Sequence, residues 1–159
     1  MIKVLFVCLG NICRSPMAEA IFAHLVQQAG LADRIGWDSA GTSNYHPGEL
    51  PDWRTRKVLA GHGIQTEHLA RQILHPDYKD YAYILAMDQH NLASLERQRA
   101  GYAGARCRLE MMGAFCEGES CEDVPDPYYG DLDDFETVYQ MLEPACHSLL
   151  ARIRAEHGL

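Results

Sequence analysis

The stretch VCLGNICRSP, residues 7–16, decides how the rest of the chain is read. It overlaps the end of IKVLFV (2–7), an unbroken apolar run rich in β-branched and aromatic residues, the pattern of a central parallel strand covered on both faces. Beyond the loop, Ser15 and Pro16 predict an N-cap and first helical turn. Met17, Ala18, Ile21, Phe22 and Leu25 then form a helical stripe that ends at Gly30. Cys8, Cys13, Arg14 and Ser15 are thereby placed together on a tight turn between the carboxyl end of a strand and the N-terminus of a helix.

The same alternation continues along the chain. RIGWDSAGT (34–42) predicts a second strand, followed by a loop punctuated by Pro47, Gly48 and Pro51 and a helix from Asp52 to near Gly61. YAYILAM (81–87) predicts a third strand, with Asp88 capping a helix through QHNLASLERQR, and RCRLEM (106–111) is a weaker fourth candidate. Phe135, Val138, Leu142, Cys146, Leu149 and Ile153 recur at three- and four-residue steps, describing a long C-terminal amphipathic helix. Pro144 falls inside it and predicts a kink or break near Glu143. Strands alternating with helices imply one α/β domain over 1–159, a doubly wound sheet with helices on both faces and ligands bound outside the carboxyl ends of its strands. That rule points to residues 8–15.

Composition narrows the function. A chain of 159 residues, 47% hydrophobic, is one ordinary globular domain. Its net charge of −8 argues against nucleic acid as a partner. The N-terminal apolar run is too short for a membrane span and lacks a cleavage site, so neither export nor a membrane partner is expected and the location is read as cytoplasmic. The six cysteines are then read as free thiols with catalytic or redox roles. Cys116 and Cys121 lack a second close pair of ligands, so no metal and no other cofactor is expected.

A loop between a strand end and a helix start offers unpaired backbone N–H groups and the positive end of the helix dipole, a nest suited to an anion. At its mouth Cys8 feels that field and the charge of Arg14, both of which favour thiolate over thiol. Arg14 brings a planar fork able to hold two oxygens of a phosphoryl group. Gly10 lets the backbone turn without a Cβ in the way, and Asn11 tolerates a left-handed conformation. Ser15 can cap the helix or donate its hydroxyl to the Cys8 sulfur. A lone cysteine is more often inert and a lone arginine more often a surface ion pair, but here both follow a strand and open a helix. A nucleotide-binding phosphate loop fits less well, for it needs a Gly-Lys-Ser/Thr ending that this chain lacks.

VCLGNICRSP, DSAGTS (38–43), HLARQ (68–72), ILAMD (84–88) and DPYYG (126–130) together resemble the low-molecular-weight protein tyrosine phosphatases, over essentially the whole chain. The resemblance implies a four-stranded parallel sheet with Cys8 as phosphoryl acceptor, Arg14 as phosphate clamp and Asp126 as general acid. It assigns Leu9, Gly10, Asn11, Ile12, Cys13 and Ser15 to the phosphate loop, with Asn11, Ser39 and His68 as hydrogen-bonding braces. Trp53 matches an aromatic position at the rim, and Tyr128 and Tyr129 match tyrosines phosphorylated in some relatives. It also favours a redox role for Cys13, which could close a protective disulfide with an oxidised Cys8. The implied partner is a phosphotyrosine protein or a small aryl phosphate, met by a monomer with at most weak dimerisation.

The residues themselves also single out Asp126. Expelling a phenoxide requires an acid, and eight carboxylates lie between Glu117 and Asp134 with no Lys or Arg among them. Pro125 and Pro127 restrict the backbone of Asp126, and Tyr128 and Tyr129 are candidate walls for an aromatic substrate. Two rivals compete. An arsenate reductase on the same fold would need relay cysteines, which here could be only Cys107, Cys116 and Cys121. A non-catalytic phosphotyrosine-binding module would need neither Cys8 nor Asp126.

Overall fold

The computed structural model describes residues 1–116 and 123–159. Four strands, β1 (Ile2–Cys8), β2 (Ile35–Gly41), β3 (Tyr83–Ala86) and β4 (Arg108–Met111), form one parallel sheet in the order β2-β1-β3-β4. The helices are α1 (Arg14–Gln28), α2 (Trp53–Gly61), α3 (Asp77–Asp80), α4 (Gln89–Ala100) and α5 (Leu132–His157). The order reverses beside β1, so the chain leaves β1 at the switch point, where an open sheet leaves a crevice.

Alternation along β1 divides the interior in two. Val4 and Phe6 face a cluster with Met17, Ile21 and Phe22 of α1 and Leu142, Cys146 and Leu149 of α5. Leu5 and Val7 face the other way, onto Tyr78 of α3, Ile84 and Ala86 of β3 and Leu95 of α4. Both faces of the strand are covered, which is why it reads as a continuous apolar run rather than an alternating one.

Two local expectations are corrected. Helix α1 starts at Arg14 with Cys13 at the N-cap position and no side-chain cap, so Ser15 lies inside the first turn. Its hydroxyl is engaged elsewhere, by Cys8 and Asn11. Of the kink or break expected at Pro144, the break does not occur: helix α5 continues from Leu132 to His157 through the proline. Leu142, Ala145, Cys146 and Leu149, on either side of the proline, are fully buried, and that packing outweighs the ~3 kcal/mol an interior proline costs. The other expected caps are present: Asp52 accepts from the Arg54 N–H and Asp88 from the Asn91 N–H. Asp131 and Asp134 add a reciprocal capping box at the start of α5.

β1 and β2 are in register so that Cys8 lies beside Gly41. A Cβ on Gly41 would stand 2.7 Å from the Leu9 carbonyl oxygen and 3.3 Å from the Asn11 nitrogen, both backbone atoms of the 8–15 loop. The loop therefore rests on a residue that must lack a side chain. Gly41→Ala should leave the fold intact and lower the kcat/KM of a reaction performed at the loop by about tenfold or more, since ångström-scale misplacement of reacting groups costs up to ~10²-fold; steady-state kinetics alongside circular dichroism checks this.

Candidate active site

The loop after β1 is pinned by its carbonyls. The Cys8 carbonyl accepts from the Thr42 N–H and that of Leu9 from both the N–H and the hydroxyl of Ser43. The Ile12 carbonyl accepts from the Asp52 N–H and that of Cys13 from the Thr55 hydroxyl. Carbonyls held outward against β2 and α2 suit a loop whose amides serve an anion on its concave side.

Asn11 locks the turn. Its φ of 58° lies in the left-handed region, and the side chain is 1% exposed. The amide nitrogen donates to Ser15 Oγ (2.8 Å) and Ser39 Oγ (2.9 Å), while Oδ1 lies 2.7 Å from His68 Nε2 and accepts from the Arg71 N–H at 3.0 Å. His68 Nδ1 in turn faces Glu19 Oε1 at 3.1 Å and Asp38 Oδ1 at 3.4 Å. Burial alone would lower the His68 pKa, but hydrogen bonds to Asp38 and Glu19 outweigh it and push it up to about 9. The three expected braces, Asn11, Ser39 and His68, are thus brought together, and Glu19 and Arg71 join them.

Ser15 Oγ sits 3.0 Å from Cys8 Sγ, within reach of a hydroxyl-to-sulfur hydrogen bond. Arg14 is buried, and its Nη1 donates to Asp88 Oδ2 at 2.7 Å and to the Val124 carbonyl at 3.0 Å. Its Nη2 lies 3.7 Å from Asp126 Oδ2. Burial opposes the guanidinium charge, but Cys8, the Asp88 hydrogen bond and Asp126 outweigh it and raise the Arg14 pKa. Cys13 is buried, and its thiol pKa is pushed well up by that burial and by Asp52, Cys8 and Asp126 nearby.

Asp126 is 45% exposed on its side chain, and its Oδ1 accepts from the Tyr128 N–H. Arg54 holds this segment. It pairs with Asp52, donates to the Gly130 carbonyl and lies over the rings of Phe135 and Tyr128. Cys8, Leu9, Gly10, Ile12, Cys13 and Arg14 line a cleft of about 300 Å³ together with Asp126, Tyr128 and Tyr129. Tyr45 and His46, from the loop after β2, complete its wall; neither carries a periodic or motif signal in the sequence. Trp53, 56% exposed, is not among the lining residues and borders a separate depression with Arg54, Gly130 and Asp131. It opens α2, whose Arg54 turns toward the cleft segment in its place. Cys107 is buried just before β4, at the opposite end of the sheet from Cys8, while Cys121 lies outside the described residues.

Residues 3–158 match the family model described as low molecular weight phosphotyrosine protein phosphatase. The chain is 42% identical over 150 residues to the human low molecular weight phosphotyrosine protein phosphatase, covering 94% of each chain. It is 45% identical over 160 residues to a low molecular weight protein-tyrosine phosphatase of Bacillus subtilis, covering all of both. The chain belongs to the low-molecular-weight phosphotyrosine protein phosphatase family. A crystal structure of a protein tyrosine phosphatase from Entamoeba histolytica superposes with a TM-score of 0.90 at 40% identity, covering 99% of each chain. A Drosophila arginine phosphatase superposes at 0.92 with 37% identity, covering 96% of this chain and 98% of that one.

In this phosphatase Asp88 does two things, capping α4 through Oδ1 and fixing the Arg14 guanidinium through Oδ2. The sequence discloses only the first. Asp88→Asn should keep the cap, since Asn serves there as well as Asp, but lose a charge-assisted hydrogen bond of ~1.5–3 kcal/mol. Kinetics should then record a fall in kcat/KM of about tenfold or more, and thermal unfolding a loss of stability no larger than the ~1.5–3 kcal/mol of that bond.

Proposed function

We propose that this chain hydrolyses phosphotyrosine in proteins through a phosphocysteine intermediate, with Cys8 as nucleophile, Arg14 as clamp and Asp126 as acid and base. One observation carries the reading. A sulfur and a buried guanidinium from the two ends of one loop meet an exposed carboxylate from a distant segment on one cleft, and a serine hydroxyl lies 3.0 Å from the sulfur. In the first step the Cys8 sulfur attacks phosphorus, the bond to the tyrosyl oxygen breaks, and protonated Asp126 gives its proton to that oxygen. In the second, ionised Asp126 takes a proton from water as the water attacks the phosphocysteine. The Cys8 sulfur departs with the bonding pair, met by the Ser15 hydroxyl, and inorganic phosphate is released. Throughout, the Arg14 fork and the loop amides follow the phosphoryl oxygens as charge shifts among them.

Tyr45 and Tyr128 give the cleft aromatic walls suited to a phenyl ring, which favours phosphotyrosine or a small aryl phosphate over an aliphatic ester. The burial of Cys107 at the far end of the sheet weighs against a thiol relay to Cys8, and a bare binding module has no use for Cys8 or Asp126. Among the described residues no helix is long and apolar enough to cross a membrane. We read the enzyme as cytoplasmic, engaging neither membrane nor nucleic acid, and as a monomer with at most weak dimerisation; the net charge of −8 supports the absence of a nucleic-acid partner. The test is hydrolysis of phosphotyrosine beside phosphoserine, phosphoarginine and arsenate, with Cys8→Ser as control. The expected result is phosphotyrosine turnover that Cys8→Ser abolishes; preferential turnover of phosphoarginine or reduction of arsenate would overturn the reading.

Cys13 faces the same cleft as Cys8. Peroxide would convert Cys8 to a sulfenic acid, which the Cys13 thiol would condense with to give a disulfide and water. Recovery of activity by thiol reductant after peroxide should therefore be nearly complete in the parent and several-fold poorer in Cys13→Ser, as followed by phosphatase assay.

Acid catalysis by Asp126 makes the rate depend on the leaving group. Asp126→Asn should slow phosphotyrosine hydrolysis by about 10²- to 10⁴-fold but an aryl phosphate with an electron-poor phenol far less. Parallel kinetics on the two substrates measures the difference; equal losses would reduce Asp126 to a loop-positioning residue.

A further inference from the structure

Behind the catalytic loop, His68 Nδ1, Glu19 Oε1 and Asp38 Oδ1 converge, all within 4.8 Å of one another. We propose that Glu19, Asp38 and His68 form a zinc site behind the loop, outside the catalytic cleft, that clamps α1, β2 and the 63–68 segment together. This departs from the expectation of no metal, which rested on cysteine spacing alone.

Distance is the first argument. The separations from Nδ1 to the two oxygens are 3.1 and 3.4 Å. Ligand atoms about 2.0–2.2 Å from a tetrahedral zinc ion lie about 3.3–3.5 Å apart, so an ion would fit with shifts of a few tenths of an ångström. The support behind the ligands is the second. Asn11 Oδ1 lies 2.7 Å from His68 Nε2 and would accept its N–H, which keeps that proton on Nε2 and makes Nδ1 the ring nitrogen that a metal would take in exchange for its proton. The Ser39 hydroxyl donates to Glu19 Oε1 at 2.9 Å, and the Ser39 N–H donates to Asp38 Oδ1 at 2.8 Å. Each ligating oxygen thus has one lone pair held and another facing the imidazole. Arg71 engages the other Asp38 oxygen, Oδ2, and so steadies the carboxylate without blocking Oδ1.

Access is the third. Glu19 and His68 line a cavity of about 700 Å³ bounded by His24, Trp37 and Thr66, which shares no lining residue with the Cys8 cleft. It offers a route for the ion and room for a water as fourth ligand. One imidazole with two carboxylates suits zinc, whereas calcium and magnesium take six or more oxygens and keep to oxygen donors. Loading the site releases the His68 Nδ1 proton to solvent and leaves the Nε2–H to Asn11 bond in place. The catalytic loop therefore keeps its geometry, and the ion acts as a stabilising clamp.

The experiment uses Cys8→Ser, because a reactive thiol would itself take zinc. Titration with Zn²⁺ should find one ion per chain and raise Tm by about 5–10 °C at a hundredfold excess over Kd. Co²⁺ in its place should give visible d–d absorption without a thiolate-to-cobalt charge-transfer band. Asp38→Asn and Glu19→Gln, each made in the Cys8→Ser background, should weaken binding at least tenfold. His24→Ala, which alters the cavity wall alone, should not. The two carboxylate variants serve as checks on each other, and circular dichroism without metal establishes which of them is folded. Absence of a Tm shift with millimolar Zn²⁺, a thiolate band with Co²⁺, or undiminished binding in a folded carboxylate variant would overturn the proposal.

Discussion

The side chain of Asn11 holds the active site in shape. It is buried on a left-handed turn and its hydrogen-bonding capacity is filled, with two donations to Ser15 and Ser39 and two bonds received at Oδ1 from His68 and the Arg71 backbone. A non-glycine residue in that conformation persists only where its surroundings over-determine it. Those four bonds supply the determination, and they reach β2, the 68–71 segment and the first turn of α1. Through Ser15 the same amide orients the hydroxyl beside Cys8, so the conformation of one backbone residue and the surroundings of the reactive sulfur are set together.

Around this fixed loop the remaining groups are arranged by the ends of the parallel strands. β1 delivers Cys8, β2 delivers Ser39 and the bare backbone of Gly41, and β3 is followed by Asp88, which takes the Arg14 guanidinium. The acid segment is tied to the same rim, since the Val124 N–H donates to the Met87 carbonyl while its own carbonyl accepts from Arg14. Asp126 is left exposed, as suits a group that must exchange protons with substrate and water. Rigid support and an accessible carboxylate thus come from adjoining residues of one segment.

Much of this is legible in the sequence because strong periodic signals and a compact motif coincide. The run IKVLFV, the cysteine and arginine spaced across one loop, and the prolines around Asp126 each state a local constraint that tertiary structure then obeys. What escapes is what depends on long-range geometry. Ser15 leaves two uses of its hydroxyl open in the sequence, as a cap or beside the Cys8 sulfur, and only the packed structure selects the second. Pro144 looks like a break, yet burial on both sides carries α5 through it. Tyr45 and His46 enter the cleft from an irregular loop with no period to reveal them, and Asp88 hides its second role behind its first.

The packing of α5 against α1 bears on how the enzyme comes into being. The Cys146 thiol reaches the Ala18 carbonyl across 128 positions of chain, and the apolar side of α1 finds much of its cover in the last helix. Such distant pairings are slow to form, because the chain must close a long loop before the contacts repay the entropy. On the ribosome the residues of the phosphate loop emerge long before α5, and α1, on which that loop is mounted, lacks its cover until α5 has cleared the exit tunnel. A nascent chain therefore carries Cys8 and Arg14 well before α5 can complete their support, and catalytic competence should arrive only with α5 and all at once.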